Sequence, residues 1–294
     1  MRELVILSGK GGTGKTSVTA SFAALAQNAV FADADVDAAD LHLVLNPEIQ
    51  SRHEFRSGHE AIIRQADCCR CGACLAHCRF DAVKMDGKEA GEATFTIDPI
   101  ACEGCSVCVE FCPSKAIDFP ERVCGEWYVS NTRFGPLVHA RLRPAGENSG
   151  KLVTQVRTEA RRLAERDGRE MIVVDGPPGI GCPVIASVTG ASAVLAVTEP
   201  TVSGEHDLDR VLKLARHFGV PTFVCVNKWD INPAMAGQIE QQAAAAGATI
   251  VARIPYDRAV TAAQVNGLPV VEFSTGPAAQ SIRQLWENLW KSPV

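Results

Sequence analysis

Apolar positions along the chain come in short dense runs separated by polar, small-residue or glycine-rich stretches. Leu4-Val5-Ile6-Leu7 opens the series, and residues 29–32, 171–174, 193–197, 222–226 and 249–254 repeat it. Such runs, apolar without alternation, predict strands buried on both faces. Between them lie segments of helical period at residues 15–27, 151–165, 208–218, 234–246 and 278–291. Residues 127–142 alternate enough to predict one or two further strands. Strands alternating with helices predict an α/β fold, a doubly wound and mostly parallel sheet with helices on both faces. In the last helix Ile282, Leu285, Trp286, Leu289 and Trp290 make one apolar stripe. Arg283 and Lys291 against Glu287 give its polar face too little positive charge for anionic lipid, so the helix is expected to dock on the domain.

The pattern breaks between residues 60 and 122. No long helical period runs there, and seven Lys/Arg against eleven Asp/Glu leave −4 of the chain's formal −5 in this segment. The acidic balance gives no reason to expect a nucleic-acid partner. No signal peptide and no membrane-length apolar run is visible, so a cytoplasmic protein is expected. Eight of the twelve cysteines fall in two runs, Cys68-x2-Cys71-x2-Cys74-x3-Cys78 and Cys102-x2-Cys105-x2-Cys108-x3-Cys112-Pro113. Reduced cytosolic thiols in that spacing suggest metal rather than disulfides.

Both runs match the bacterial ferredoxin spacing, in which three cysteines of a run grip one cube and the fourth reaches the other. On that pattern Cys68, Cys71, Cys74 and Cys112 would hold one [4Fe–4S] cluster, and Cys102, Cys105, Cys108 and Cys78 the second. Zinc is the alternative metal, but the two runs crowd too many thiolates for two tetrahedral sites. Arg79 stands where proline would follow Cys78; Pro113 keeps that place after Cys112. An inserted ferredoxin-like α+β module is therefore expected at 60–122. It would interrupt the α/β domain, which is then formed by 1–59 and 123–294.

The glycine-rich turn after the first strand reads Gly9-Lys10-Gly11-Gly12-Thr13-Gly14-Lys15-Thr16, followed by Ser17. Gly9, Gly14, Lys15 and Thr16 meet the phosphate-loop template G-x-x-x-x-G-K-[ST]. Its backbone N–H groups and the helix that follows would cradle an anion. Lys15 would reach the β/γ-phosphates and Thr16 would hold Mg²⁺. With Lys10, the run KGGTGKT resembles the deviant phosphate loop of the MinD/ParA family, which includes the nitrogenase iron protein and the Mrp-type cluster carriers.

That resemblance covers about residues 1–58 and 124–294, and it implies ATP/ADP and Mg²⁺ as ligands and a homodimer with nucleotide between the subunits. Lys10 would then cross to the partner's nucleotide. Asp33 and Asp35 resemble the first switch, Asp35 placing water and Asp33 serving the metal shell. Asp175-Gly176-Pro177-Pro178-Gly179 resembles the second switch, with Asp175 in the acidic strand-end position. Asn227 resembles the adenine-binding asparagine, and Pro255, Tyr256 and Asp257 the second base-binding loop. Cys182, in the second-switch loop, stands near where the nitrogenase iron protein has an interface cluster cysteine. The stretch 147–150, where that protein's other ligand would fall, has no cysteine.

Together these features imply an ATPase whose turnover gates low-potential electron transfer through two clusters to a redox acceptor protein. Two other readings stay open: an iron–sulfur assembly or carrier ATPase delivering to an acceptor, and a redox-sensing scaffold ATPase.

Overall fold

A computed structural model describes residues 1–87, 93–143, 146 and 149–291. The chain forms two compact units, one of Met1–His53, Trp127–Arg141 and Ser149–Val294, the other of Glu54–Glu126 with a short stretch beginning at Leu142.

The first half contributes strands β1 (Arg2–Ser8), β2 (Ala29–Asp33) and β3 (Glu48–His59), with helices α1 (Lys15–Leu25) and α2 (Leu41–Leu45) between them. The small unit follows as β4 (Ile62–Ile63), α3 (Ala73–His77), β5 (Val83–Asp86), β6 (Thr94–Ile97), α4 (Val107–Glu110) and β7 (Ile117–Asp118). The chain then continues with β8 (Glu121–Thr132), β9 (Gly135–Leu142), α5 (Ser149–Arg166), β10 (Met171–Pro178), α6 (Cys182–Val188), β11 (Ala193–Thr198) and α7 (Val202–His217). It ends with β12 (Thr222–Asn227), α8 (Pro233–Ala245), β13 (Thr249–Ile254), α9 (Arg258–Val265), α10 (Val270–Phe273) and α11 (Pro277–Lys291).

The large sheet has the order β13-β12-β11-β1-β10-β2-β9-β8-β3. From β13 to β9 every neighbouring pair is parallel. β2 and β11 are buried at every position, and β1 at every position after Arg2, as strands covered on both faces must be. In α1 small residues (Ala20, Ser21, Ala23) let the helix lie close on the sheet, and Phe22 is fully buried. Ile282, Leu285 and Leu289 of α11 join the same core, and the Trp286 ring packs at a tilt against Phe22 with ring centroids 4.9 Å apart. The apolar stripe of the last helix is thus spent on the domain's own core. The side chain of Lys291 lies outside the described residues, as do Glu147 and Asn148 of the stretch 147–150. Among the described residues no helix is long and apolar enough to cross a membrane.

Among the elements that differ from the reading of the sequence, which include the unexpected short helices α2, α6, α9 and α10, three have a clear local cause. α7 begins at Val202, six residues before the expected 208, because the Thr201 hydroxyl accepts the Gly204 N–H and caps the helix there. α1 stops at Leu25, two residues short, where Ala26 turns extended. β3 was not expected: its residues are mostly polar and exposed, so no apolar run marks it.

In the small unit the elements follow the order β-α-β-β-α-β. β4 pairs antiparallel with β7, and β5 with β6. A separate core of Ala61, Cys74, Val83, Ala93, Phe95 and Ile117 lies within it. The expected bounds 60–122 fall inside this unit.

Candidate functional site

β1 delivers the chain into the glycine turn at the carboxyl edge of the parallel strands, where ligands of such sheets bind. Gly12 and Gly14 have φ of 80° and 93°, which side chains with a Cβ adopt at a cost. Space matters as well: a Cβ on Gly14 would lie 2.3 Å from Asn227 Nδ2, and one on Gly9 would lie 2.2 Å from Asp207 Cβ. Among the described residues the buried Thr13 Oγ1 has no hydrogen-bond partner.

Sheet register brings the acidic positions together. Asp33 on β2 is aligned with Asp175 on β10, and Asp175 with Ile6 on β1. Lys15 Nζ then lies 3.0 Å from Asp175 Oδ1 and 3.4 Å from Asp35 Oδ2. The hydroxyls of Thr16 and Thr19 donate to the two Asp175 oxygens at 2.8 and 2.9 Å. Burial works against the Lys15 charge, but Asp175, Asp35 and Asp33 outweigh it and hold the ammonium above its ordinary pKa. Burial and then the Asp175 charge raise the Asp33 carboxyl well above the usual carboxylate range, against the pull of Lys15. Burial also raises Asp35, partly offset by Lys15.

Asp33 is fully buried, and its two oxygens accept the Asp35 and Leu41 N–H groups at 3.2 and 3.1 Å. It orders the loop from β2 to α2. Asp35, with the phosphate loop, lines the cavity instead. Of the two aspartates expected in the first switch, Asp35 borders the cavity and Asp33 is sealed inside the fold.

That cavity has a volume of about 530 Å³, in the range of small-molecule sites. Gly11 to Ser17 form one wall; Asn227, Lys228, Pro255, Tyr256 and Asp257 form the other. Asn227 Nδ2 donates to the Thr13 carbonyl at 2.7 Å. Asp257 caps α9 by accepting the Ala259 N–H at 2.8 Å. Every expected nucleotide residue from Gly11 onward thus borders one cavity.

Lys10 is placed differently. Its Nζ lies 2.6 Å from Glu199 Oε1 and donates to Ser203 Oγ at 2.9 Å. Glu199 also takes Lys228 at 3.3 Å, and Lys228 donates to the Gly12 carbonyl at 3.1 Å. Burial alone would raise the Glu199 carboxyl, but the bonds from Lys10 and Lys228 hold it below its ordinary value. Glu199, Lys228 and Gln264, which donates to Ser17 Oγ at 2.9 Å, were missed from the sequence. Lys228 had a visible signal, following Asn227 directly at the strand end. Glu199 and Gln264 had none, because long-range packing alone brings them to the loop.

All twelve cysteines are free thiols. In the small unit nine of them border two separate cavities. Cys68, Cys71, Cys74 and Cys112 line one, with Cys69, Ile63, Phe95 and Ile117. Cys78, Cys102, Cys105 and Cys108 line the other, with Phe80, Val83, Ile97 and Phe119. Burial and then Cys102 and Cys105 push the Cys108 thiol up to about 11. Among the described residues no three His, Cys, Asp or Glu side chains are grouped to hold a single metal ion. Cys182 is exposed at the start of α6, and a Cβ on Gly150 would lie 3.3 Å from it. Cys225 is buried in β12, and the buried Cys124 Sγ donates to the Ser57 carbonyl at 3.0 Å.

A glycine loop at the carboxyl edge of a parallel sheet, closed by a buried lysine and an acidic strand end, defines a P-loop nucleotide-binding domain. The chain belongs to the CobQ/CobB/MinD/ParA nucleotide binding domain family, whose pattern matches residues 4–270. It is 32% identical over 292 residues to the uncharacterized protein MJ0578 of Methanocaldococcus jannaschii, covering 98% of this chain and 96% of that one. In fold it is similar to the cell division ATPase MinD of Pyrococcus furiosus (TM-score 0.57, 18% identity, covering 99% and 98% of the two chains). It is equally similar to the Pyrococcus horikoshii septum site-determining protein MinD complexed with Mg-ADP (TM-score 0.57, 17% identity, covering 100% and 99%).

Proposed function

We propose that the protein is a Mg²⁺-dependent ATPase whose nucleotide cycle governs low-potential electron transfer through two [4Fe–4S] clusters to a partner protein. The phosphate half of this reading rests on the family and on the cavity. Lys15 and the loop N–H groups would face the β/γ-phosphates, and the unpartnered Thr13 hydroxyl offers a further donor there. Thr16 and Asp175, bonded to each other at 2.8 Å, would hold Mg²⁺, and Asp35 would orient water. The fold relative complexed with Mg-ADP supports this assignment. Lys10 in a nucleotide-bridged homodimer is part of the same proposal.

The observation that carries the redox half is the sorting of eight cysteines into two quartets, each bordering its own cavity. Each quartet joins three cysteines of one run to the fourth of the other, as two-cluster ligation requires. A cube spreads four irons over four thiolates, so its ligands ring a space rather than meet at one point. Free thiols, apolar walls and the β-α-β-β-α-β order of the small unit fit that group. When bound, the clusters would supply one-electron chemistry at low potential. The chain's own part would be to exclude water from them with Phe95, Ile117, Val83 and Phe119.

The test is anaerobic. The reduced protein is followed by EPR during oxidation by a dye, with and without magnesium and nucleotide, beside Lys15→Ala. A change in potential or oxidation rate that needs nucleotide and is lost in the variant supports the proposal. Clusters that leave for an apo-acceptor with no such change would overturn it in favour of a carrier.

A further inference from the structure

The two cysteine cavities of the small unit have different mouths. Around Cys68, Cys71, Cys74 and Cys112 the side chains of Phe95 and Ile117 are buried, and of the lining residues only Cys69 and Cys71 are exposed. The cavity of Cys78, Cys102, Cys105 and Cys108 is bordered instead by the exposed side chains of His77, Phe80 and Val107. The His77 ring stacks on Phe111, with centroids 4.1 Å apart and 23° between the planes. Phe80 is 46% exposed and Phe111 56%. His77 and Phe111 directly precede Cys78 and Cys112, the fourth cysteines of the two runs. The aromatic pair therefore sits beside both quartets.

Single exposed apolar residues are common, but a joined group at the mouth of a site marks a contact surface. Its rim is acidic. Asp81 follows Phe80, Glu110 precedes Phe111 and Glu103 lines the cavity, all exposed, with Arg79 as the opposing charge. A second copy of this chain would bring the same acids face to face, and anionic lipid or nucleic acid would be repelled as well. The fitting occupant is a protein whose contact face has an apolar centre ringed by lysine and arginine.

We infer that the face of His77, Phe80, Val107 and Phe111 docks a basic protein that accepts one electron, and that electrons leave the chain on the side of the Cys78, Cys102, Cys105 and Cys108 cavity. One electron passes from the reduced small unit to the oxidised centre of the acceptor, with no bond made or broken. The inference rests on the two-cluster reading above and chooses one exit between its two sites.

The experiment uses the full chain, anaerobic, with oxidised cytochrome c as the probe, a basic one-electron haem protein. Calorimetry at low salt measures binding, and stopped flow measures oxidation of the reduced chain by cytochrome c and by a small uncharged dye. Phe80→Ser combined with Phe111→Ser should weaken binding and slow oxidation by cytochrome c about tenfold or more, with the dye rate within about twofold. Glu103→Lys combined with Glu110→Lys should do the same at low salt, and the difference should vanish near about 1 M salt. Met85→Ser, at an exposed residue bordering neither cavity, should change neither readout. An iron content equal to wild type shows that each variant keeps its small unit folded. Wild type that binds cytochrome c more weakly than about 1 mM, or patch variants that bind and react as wild type does, overturns the inference. So does a wild-type dimer that Phe111→Ser disperses, which would give the face to a second copy. A chain that takes up no iron overturns the cluster reading instead, and calorimetry then still decides whether the face binds.

Discussion

Lys10 and Glu199 of the same chain are joined by an ion pair of 2.6 Å, a short reach for a lysine that the family resemblance sends across a dimer interface. The lysine side chain is a third exposed and the glutamate less so. In that setting the pair is worth no more than about 1 kcal/mol, so a nucleotide phosphate on a second subunit can outcompete it. Glu199→Gln should therefore lower the protein concentration needed for nucleotide-dependent dimerisation by about fivefold, as read by analytical ultracentrifugation. Lys10→Ala should dimerise no better and turn over nucleotide far more slowly. Dimerisation unchanged by Glu199→Gln would mean that the pair does not restrain Lys10.

The acidic strand ends give the fold a pH signature. The folded-state carboxyl of Asp33 is raised above its ordinary value of 3.8. The folded chain thus binds more protons than the unfolded one just above that pH, and stability falls as pH rises through the window up to the folded pKa. Lys15, raised above 10.5, contributes stability that is complete below that value and is lost as pH climbs through its folded pKa. Thermal melts of Asp33→Asn against wild type should show a shallower decline from mildly acid to neutral pH. Parallel profiles would remove Asp33 as the source.

Two glycines of the phosphate loop should separate strain from contact. Gly12 needs its positive φ, but a Cβ there meets nothing within 4 Å. Gly12→Ala should cost about 1–2 kcal/mol of stability, measured by denaturant titration. Gly14→Ala carries the same strain and also displaces Asn227 from the Thr13 carbonyl. It should lose nucleotide affinity beyond what Gly12→Ala loses, and equal affinities would argue against Asn227 as a base contact.

Cysteine variants test the pairing of the two runs. Cys112→Ala should reduce iron in the anaerobic protein from about eight atoms per chain to about four. Adding Cys68→Ala should cost nothing further, because both line the same cavity. Adding Cys105→Ala should remove the rest. The reverse pattern, with Cys105 rather than Cys68 silent, would reassign the quartets.

The sequence announced those elements whose signal is local. Six apolar runs became six parallel strands of the large sheet, since burial on both faces leaves its mark at every position. The glycine loop, Asp175, Asn227 and Tyr256 were likewise marked by their place at strand ends. Hidden were features made by packing alone. Glu199 reaches Lys10 across 189 residues of chain, Gln264 reaches Ser17 across 247, and neither has a motif. β3 escaped altogether because an exposed polar strand has no periodicity to read. The burial of Asp33 escaped for a related reason: two aspartates two residues apart look alike until the β2–β10 register sets one inside and the other on the cavity wall.

The crossing of the two cysteine runs has a genetic consequence. Cys112 borders the same cavity as Cys68, Cys71 and Cys74, and Cys78 borders the cavity of Cys102, Cys105 and Cys108. A lesion map drawn along the chain would therefore assign damage at either of these fourth cysteines to the wrong half. Nor could a deletion that removes one run spare the other run's cavity. The two sites would be gained or lost in descent as a single trait.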